Sequence, residues 1–270
     1  MIFKSGNKQK RRSAGTGNTV LTVDKVGKSF AGNGGLVEVL SEVSFQTRHG
    51  EFLCLLGPSG CGKTTLLNLL AGFASPSSGN IRLDDAPIGA PGPDRCVVFQ
   101  DAALFPWLTV RENVSAGLRC MQYGKQEIAD EVERLLRLVG LEAFADYLPV
   151  QISGGMRQRV ALARVLILHP GVLLMDEPFA ALDCQTRGEM QALLLDLWWE
   201  LEQTVVFVTH DIEEAVKLAD TILILGTCPA TIEDTLEISM PRPRDETSTD
   251  FIQLRRQVRD TIEAIQKQRP

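Results

Sequence analysis

Residues 52–72 read FLCLLGPSGCGKTTLLNLLAG, and this stretch limits the possible folds more than any other in the chain. An apolar run, a glycine-rich turn closing on Lys-Thr-Thr and an apolar helical pattern follow one another, which is the strand, loop, helix order in which GxxxxGK[ST] cradles phosphate. The glycines let the backbone curl so that successive N–H groups point inward, and the helix dipole adds to their field. Gly57, Pro58, Ser59, Gly60, Cys61, Gly62, Lys63, Thr64 and Thr65 form the loop. Lys63 is placed to reach the β- and γ-phosphates of a nucleoside triphosphate, and Thr64 to ligate Mg²⁺.

Such a loop needs a buried parallel sheet behind it. FLCLL, CVVF (96–99), VLLM (172–175), TVVFVT (204–209) and TILIL (221–225) are apolar and β-rich. Their near-continuous hydrophobicity suits strands covered on both faces. Helical patterns at 63–71, 156–168, 186–202 and 212–219 alternate with them, so the expected class is α/β. From about Leu104 to Pro149 the chain reads as helical without a convincing strand, with Ile128, Val132, Leu135, Leu136 and Val139 on one helix face. That stretch is expected to be a helical insertion between sheet strands.

A phosphate loop calls for acids at the end of a neighbouring strand, and VLLMDEP supplies them. Asp176 is expected to hold Mg²⁺ and Glu177 to orient and deprotonate the attacking water. His210 ends TVVFVT, where its imidazole can donate to a γ-phosphate. Gln100 closes CVVFQ and can reach Mg²⁺ or water through its amide oxygen while opening the helical insertion. His49 and His169 lack a strand-end setting and read as structural.

ISGGM (152–156) opens the helical pattern MRQRVALARVLIL, so Ser153 falls where an N-cap belongs. The two glycines after it clear side chains from the helix mouth and leave N–H groups able to meet an anion. The stretch reads either as an ordinary capped helix or as an anion site whose remaining cradle lies elsewhere in the chain.

Taken together, Gly57–Thr65, Gln100, ISGGM, VLLMDEP, ALD (181–183) and His210 resemble, in order and spacing, an ATP-binding cassette nucleotide-binding domain over about residues 19–225. PGPDRCVVFQDAALFPWLTVRENV (91–114), MDEPFAALDCQTR (175–187) and MPRPRD (240–245) are similar to ATPase subunits of nitrate, aliphatic sulfonate and taurine importers. The resemblance implies a RecA-like P-loop core with a mainly parallel sheet, an antiparallel β subdomain and an inserted helical subdomain at about 104–160. A basic tail (1–18) would precede the domain, and a C-terminal extension (226–270) would follow it.

It also implies a head-to-tail homodimer. Ser153, Gly154 and Gly155 of one chain would complete the ATP site of the other, and Asp183 would be a further nucleotide-binding residue. Phe30 stands where an aromatic stacks on adenine, or else belongs to the core. DAALFPWLTV (101–110) stands where membrane subunits dock, unless Phe105 and Trp107 are simply buried. The implied function is ATP hydrolysis driving import through permease subunits at the cytoplasmic face of the membrane, with a solute-binding protein outside. Ile152, Met156 and Ala180 depart from the family's commoner Leu, Gln and Gly. A non-transport cassette ATPase fits less well: the span from Lys63 to Ser153 is too short for a long coiled coil, and the chain has one cassette. A metabolite kinase would not need ISGGM or ALD.

The net charge of −6 gives no argument for nucleic-acid binding. Lys4, Lys8, Lys10, Arg11 and Arg12 make the first 18 residues basic, either as a solubilising extension or as a contact for anionic lipid. No apolar run is long enough for a membrane helix. Cys54, Cys61, Cys96, Cys120, Cys184 and Cys228 show no metal spacing and read as mostly buried, reduced thiols. Cys61, inside the phosphate loop, is expected to be open to thiol reagents.

Overall fold

The structure, a computed structural model, describes residues 19–32, 35–121 and 123–267; the basic segment 1–18 lies outside them. The chain starts with strands β1 (Thr19–Gly32) and β2 (Gly35–Arg48), followed by β3 (Phe52–Leu56) and helix α1 (Lys63–Ala71). Next come β4 (Ser78–Leu83), β5 (Ala86–Pro87) and β6 (Arg95–Val98). Helices α2 (Val110–Arg119), α3 (Lys125–Leu138) and α4 (Gly154–Leu166) then lead to β7 (Val172–Asp176). The remainder is α5 (Cys184–Leu201), β8 (Thr204–Thr209), α6 (Ile212–Leu218), β9 (Thr221–Leu225), β10 (Ile232–Glu237) and α7 (Thr249–Lys267).

The central sheet has the order β10-β9-β3-β8-β7-β6, parallel throughout except for β10, which runs antiparallel to β9. All of β3 and β8 is buried, as continuous apolar runs require of strands covered on both faces. Alternate side chains of β3 feed opposite layers. Phe52, Cys54 and Leu56 pack among the helices α2 to α7, whereas Leu53 and Leu55 pack against α1 and a second sheet. That second sheet, β2-β1-β4-β5, is antiparallel.

The parallel strands and their helices stand where the apolar pattern puts them, with small differences. β6 ends at Val98, so Phe99 and Gln100 lie just beyond the strand instead of closing it. Residues 104–109 are not helical. α2 starts only where Thr109 caps it: the Thr109 Oγ1 accepts from the N–H of Glu112 (3.2 Å), and Glu112 accepts from the N–H of Thr109 (2.9 Å).

The C-terminal segment packs on the core. Phe251 and Val258 of α7 are fully buried beside α6. MPRPRD grips the end of α6, where Arg244 Nη1 donates to the carbonyls of Val216 (2.6 Å) and Ala219 (2.7 Å). Arg242 pairs with Asp220 at 2.6 Å and lies 4.6 Å over the Trp198 ring. No helix among the described residues is long and apolar enough to cross a membrane.

Candidate nucleotide site

Parallel strands in register end on one edge, and that edge collects the chemistry. Leu56 is level with Thr209, and Asp176 with Val208. The loop after β3, the acids at the end of β7 and His210 after β8 therefore meet at the carboxyl ends of adjacent strands.

The loop is built around its own backbone. Gly62 holds φ 112°, a conformation that favours glycine, and its missing Cβ would crowd Leu40 at 3.0 Å and Val39 at 3.1 Å. It is also the N-cap of α1 and offers no side chain, so the first N–H groups of that helix stay available at the loop. Lys63 is buried; its Nζ donates to the carbonyls of Gly57 (2.8 Å) and Pro58 (2.9 Å), which folds the ammonium over the turn. The Thr64 Oγ1 donates to Asp176 Oδ1 at 3.3 Å, bringing together two hard oxygen donors from distant parts of the chain. Burial pushes the Asp176 carboxyl above the ordinary aspartate range, and the charge of Glu177 pushes it further, against Thr64 and Lys63.

Glu177 sits at φ 44°, a left-handed conformation that costs a non-glycine residue on the order of 1 kcal/mol. Its N–H donates to Val208 (3.0 Å), and its Oε2 is 2.8 Å from His210 Nδ1. A carboxylate only accepts, so Nδ1 carries the hydrogen of that contact. In the neutral ring Nε2 then presents a lone pair, and it donates only when the ring is doubly protonated. The sequence-based expectation of a neutral imidazole donating to a phosphate is revised accordingly. Gln100 is exposed two residues past β6.

The helix mouth at ISGGM is a separate feature. Ser153 caps α4, its Oγ accepting from the N–H of Met156 at 3.2 Å. Ser153 and Gly154 are exposed, whereas Gly155 is buried. A Cβ on Gly155 would lie 2.4 Å from Thr186 Cγ2, so packing against α5 demands that second glycine, whatever ligand passes by. Thr186 in turn donates through its N–H (3.0 Å) and hydroxyl (2.7 Å) to Asp183, the cap of α5. ISGGM and ALD are thus packed side by side. Among the described residues no hydrogen bond or ion pair joins either segment to Gly57–Thr65 of the same chain.

Several open alternatives are decided by exposure. Phe30 lies on β1, 45 % exposed, with Lys28 Nζ 5.0 Å from its ring centroid, so it is not core. Phe105 and Trp107 are 41 % and 72 % exposed and lean together at 5.8 Å, so neither is simply buried. Cys120, Cys184 and Cys228 are exposed, which makes the thiols half surface groups instead of mostly buried ones. Cys61 is buried, and burial pushes its thiol up; it is not the open target expected from its place in the loop. His169 is exposed and pairs with Glu131 at 3.2 Å.

Sequence reasoning passed over Glu214, whose buried carboxyl meets Thr209 and Gln191. Its signal was an acid directly before the apolar AV of α6.

Residues 40–180 match the family model described as ABC transporter. The chain is 46% identical over 237 residues to the nitrate import ATP-binding protein NrtD of Synechococcus elongatus, covering 86% of each protein. It is 41% identical to the aliphatic sulfonates import ATP-binding protein SsuB of Bacillus cereus, over 90% of this chain and 96% of that protein. Among solved structures, the dimeric post-hydrolysis state of an ATP-binding cassette bound to ADP and Pi superposes with TM-score 0.70 at 31% identity, covering 80% of this chain and 98% of the other. With its family model matched over more than half the sequence and its relatives covered nearly end to end, this chain belongs to the ABC transporter family, as an ATP-binding, ATP-hydrolysing subunit.

Proposed function

We propose that this chain is the motor of an importer for a small anion, of the kind that nitrate, aliphatic sulfonates or taurine represent. The observation that carries the motor is the meeting of Lys63, the Thr64–Asp176 pair and the Glu177–His210 pair at adjacent strand ends, and the likeness to nitrate and aliphatic sulfonate import ATP-binding proteins supports the anion. Lys63 and the N–H groups of Gly57–Thr65 hold the triphosphate, and Phe30 stacks on the adenine. Thr64, Asp176 and Gln100 offer the hard oxygen donors that suit Mg²⁺, which when bound neutralises charge on the phosphates. Glu177 orients a water against the γ-phosphorus and takes its proton as the bond to the β-phosphate oxygen breaks, leaving ADP and inorganic phosphate. His210 donates to Glu177 through Nδ1 and, when doubly protonated, to the γ-phosphate oxygens through Nε2.

The exposed mouth of α4 belongs to the neighbour's site: Ser153, Gly154 and Gly155 of one protomer, with Asp183 beside them, cover the triphosphate held by its partner. Nucleotide bound across the interface stabilises the closed homodimer, and hydrolysis removes that bridge. The strand-end groups and the antiparallel sheet form the nucleotide-binding domain (19–225), with the helical subdomain (about 104–160) carrying the signature. Segment 226–270 is an extension whose helix α7 packs against α6. Phe105 and Trp107 form the contact with membrane permease subunits, which place the protein peripherally at the cytoplasmic face and receive solute from an external binding protein.

Glu177→Gln tests the reading in the full-length chain. Hydrolysis is expected to fall by at least about a hundredfold while ATP stays bound, so that a dimer accumulates on size-exclusion chromatography with light scattering. Adding Ser153→Arg is expected to disperse that dimer without releasing ATP from the cradle. A Glu177→Gln chain that still turns over, or a dimer indifferent to Ser153→Arg, overturns it.

A further inference from the structure

His210 is more than half exposed, yet the chain on either side of it is held by a closed ring of hydrogen bonds around one buried acid. Glu214, on α6, is 6 % exposed. Its Oε2 accepts from the Thr209 hydroxyl at 2.8 Å, and its Oε1 from the Gln191 amide at 3.2 Å. The same Thr209 hydroxyl accepts from the N–H of Asp211 at 3.0 Å. Asp211 then closes the ring, its Oδ1 accepting from the N–H groups of Glu213 (2.8 Å) and Glu214 (3.4 Å). The residues immediately before and after His210 are therefore both tied to Glu214, and through Gln191 to α5, the helix that Asp183 caps.

A carboxyl is a costly choice for this place. Burial pushes its pKa up, and an apolar side chain of similar volume would fill the space without desolvating an ionisable group. An acid there does one thing that an apolar residue cannot: it fixes the direction of the Thr209 hydroxyl, and with it the peptide that carries the imidazole. We propose that Glu214 is a positioning residue for His210, holding the ring so that Nδ1 meets the Glu177 carboxylate. The inference rests on the reading of Glu177 and His210 as the hydrolytic pair.

The test measures kcat and KM for ATP in the full-length chain. Glu214→Ala is expected to lower kcat about tenfold with KM within about twofold, since the phosphate cradle is untouched. Glu214→Gln keeps an acceptor for Thr209, and Gln191 can turn its own amide to meet the new one; its kcat is expected within about threefold of the parent. Thr209→Val, nearly isosteric, removes the bridging hydroxyl and is expected to copy Glu214→Ala even if the latter folds poorly. In the double variant, adding Glu214→Ala to His210→Ala is expected to cost less than about twofold more, because a residue acting through His210 has nothing left to position.

Unchanged kcat in both Glu214→Ala and Thr209→Val, or losses that multiply in the double variant, overturn the inference and leave the hydrolytic pair standing. An His210→Ala chain with full kcat overturns the pair itself, and the inference with it.

Discussion

Two of the helix mouths with glycines at their entrance, those of α1 and α4, are built in opposite ways. The mouth of α1 has no side-chain cap, is enclosed by its own loop and is covered by a buried lysine that donates to loop carbonyls. The mouth of α4 has a serine cap that consumes one N–H, and leaves Ser153 and Gly154 exposed. Both are electropositive ends of apolar helices. The first has a buried lysine and a carboxylate joined to its threonine within the same fold; the second has Arg157, whose guanidinium donates to the Ile152 carbonyl at 3.2 Å, and no carboxylate hydrogen-bonded to Ser153, Gly154 or Gly155 among the described residues. A helix end that no loop encloses and no carboxylate accompanies lacks the means to hold a triphosphate and its metal alone, which is why the first mouth reads as a site and the second as the proposed lid of one.

Three measurements would break or sharpen that contrast. The largest effect belongs to the closed mouth: Lys63→Ala removes a charged donor, and charged hydrogen bonds contribute about 1.5–3 kcal/mol each. ATP affinity by isothermal titration is expected to fall about a hundredfold; a small loss would mean that the backbone alone makes the cradle. Next comes the open mouth, where Gly155→Ala drives a methyl into Thr186 and is expected to destabilise the chain by about 1–3 kcal/mol in urea unfolding. Adding Thr186→Ser, which deletes the clashing methyl and keeps the hydroxyl on Asp183, should restore most of that loss. If Gly155→Ala is as stable as the parent, the mouth is looser than its packing implies.

The smallest effect is in labelling. With N-ethylmaleimide near neutral pH, mass spectrometry is expected to find Cys120, Cys184 and Cys228 modified at least about tenfold faster than Cys61, which is buried with its thiol pushed up. Rapid modification of Cys61 would show that the closed mouth opens readily.

How much of this was legible in the sequence follows from how local each cause is. β3, β7, β8 and β9 are readable because strands buried on both faces must be apolar without interruption. β1 and β2 escape periodicity because register shifts between Val23, Val26, Lys28 and Ser29 break their alternation; the antiparallel subdomain was expected only from family resemblance. The phosphate loop, the acids at the end of β7 and the Ser153 cap are legible for the same reason, each being a short string with its own physical logic. Contacts that depend on which helices pack together are not. Nothing in ISGGM reveals that its second glycine is fitted to Thr186, and nothing in DIEEAV reveals that Glu214 meets Gln191. Cys61 misleads for a related reason: membership in an exposed motif does not expose a side chain that points back toward the sheet.

The junction at Thr186 has a bearing on inheritance. Its methyl abuts Gly155 while its hydroxyl and N–H hold Asp183, so a single residue keys together two segments far apart in the sequence. Variation at any of these three positions is felt at the other two. Lineages are thus expected to drift there only by compensated pairs, and a lone replacement to be purged even where each residue looks tolerant by itself.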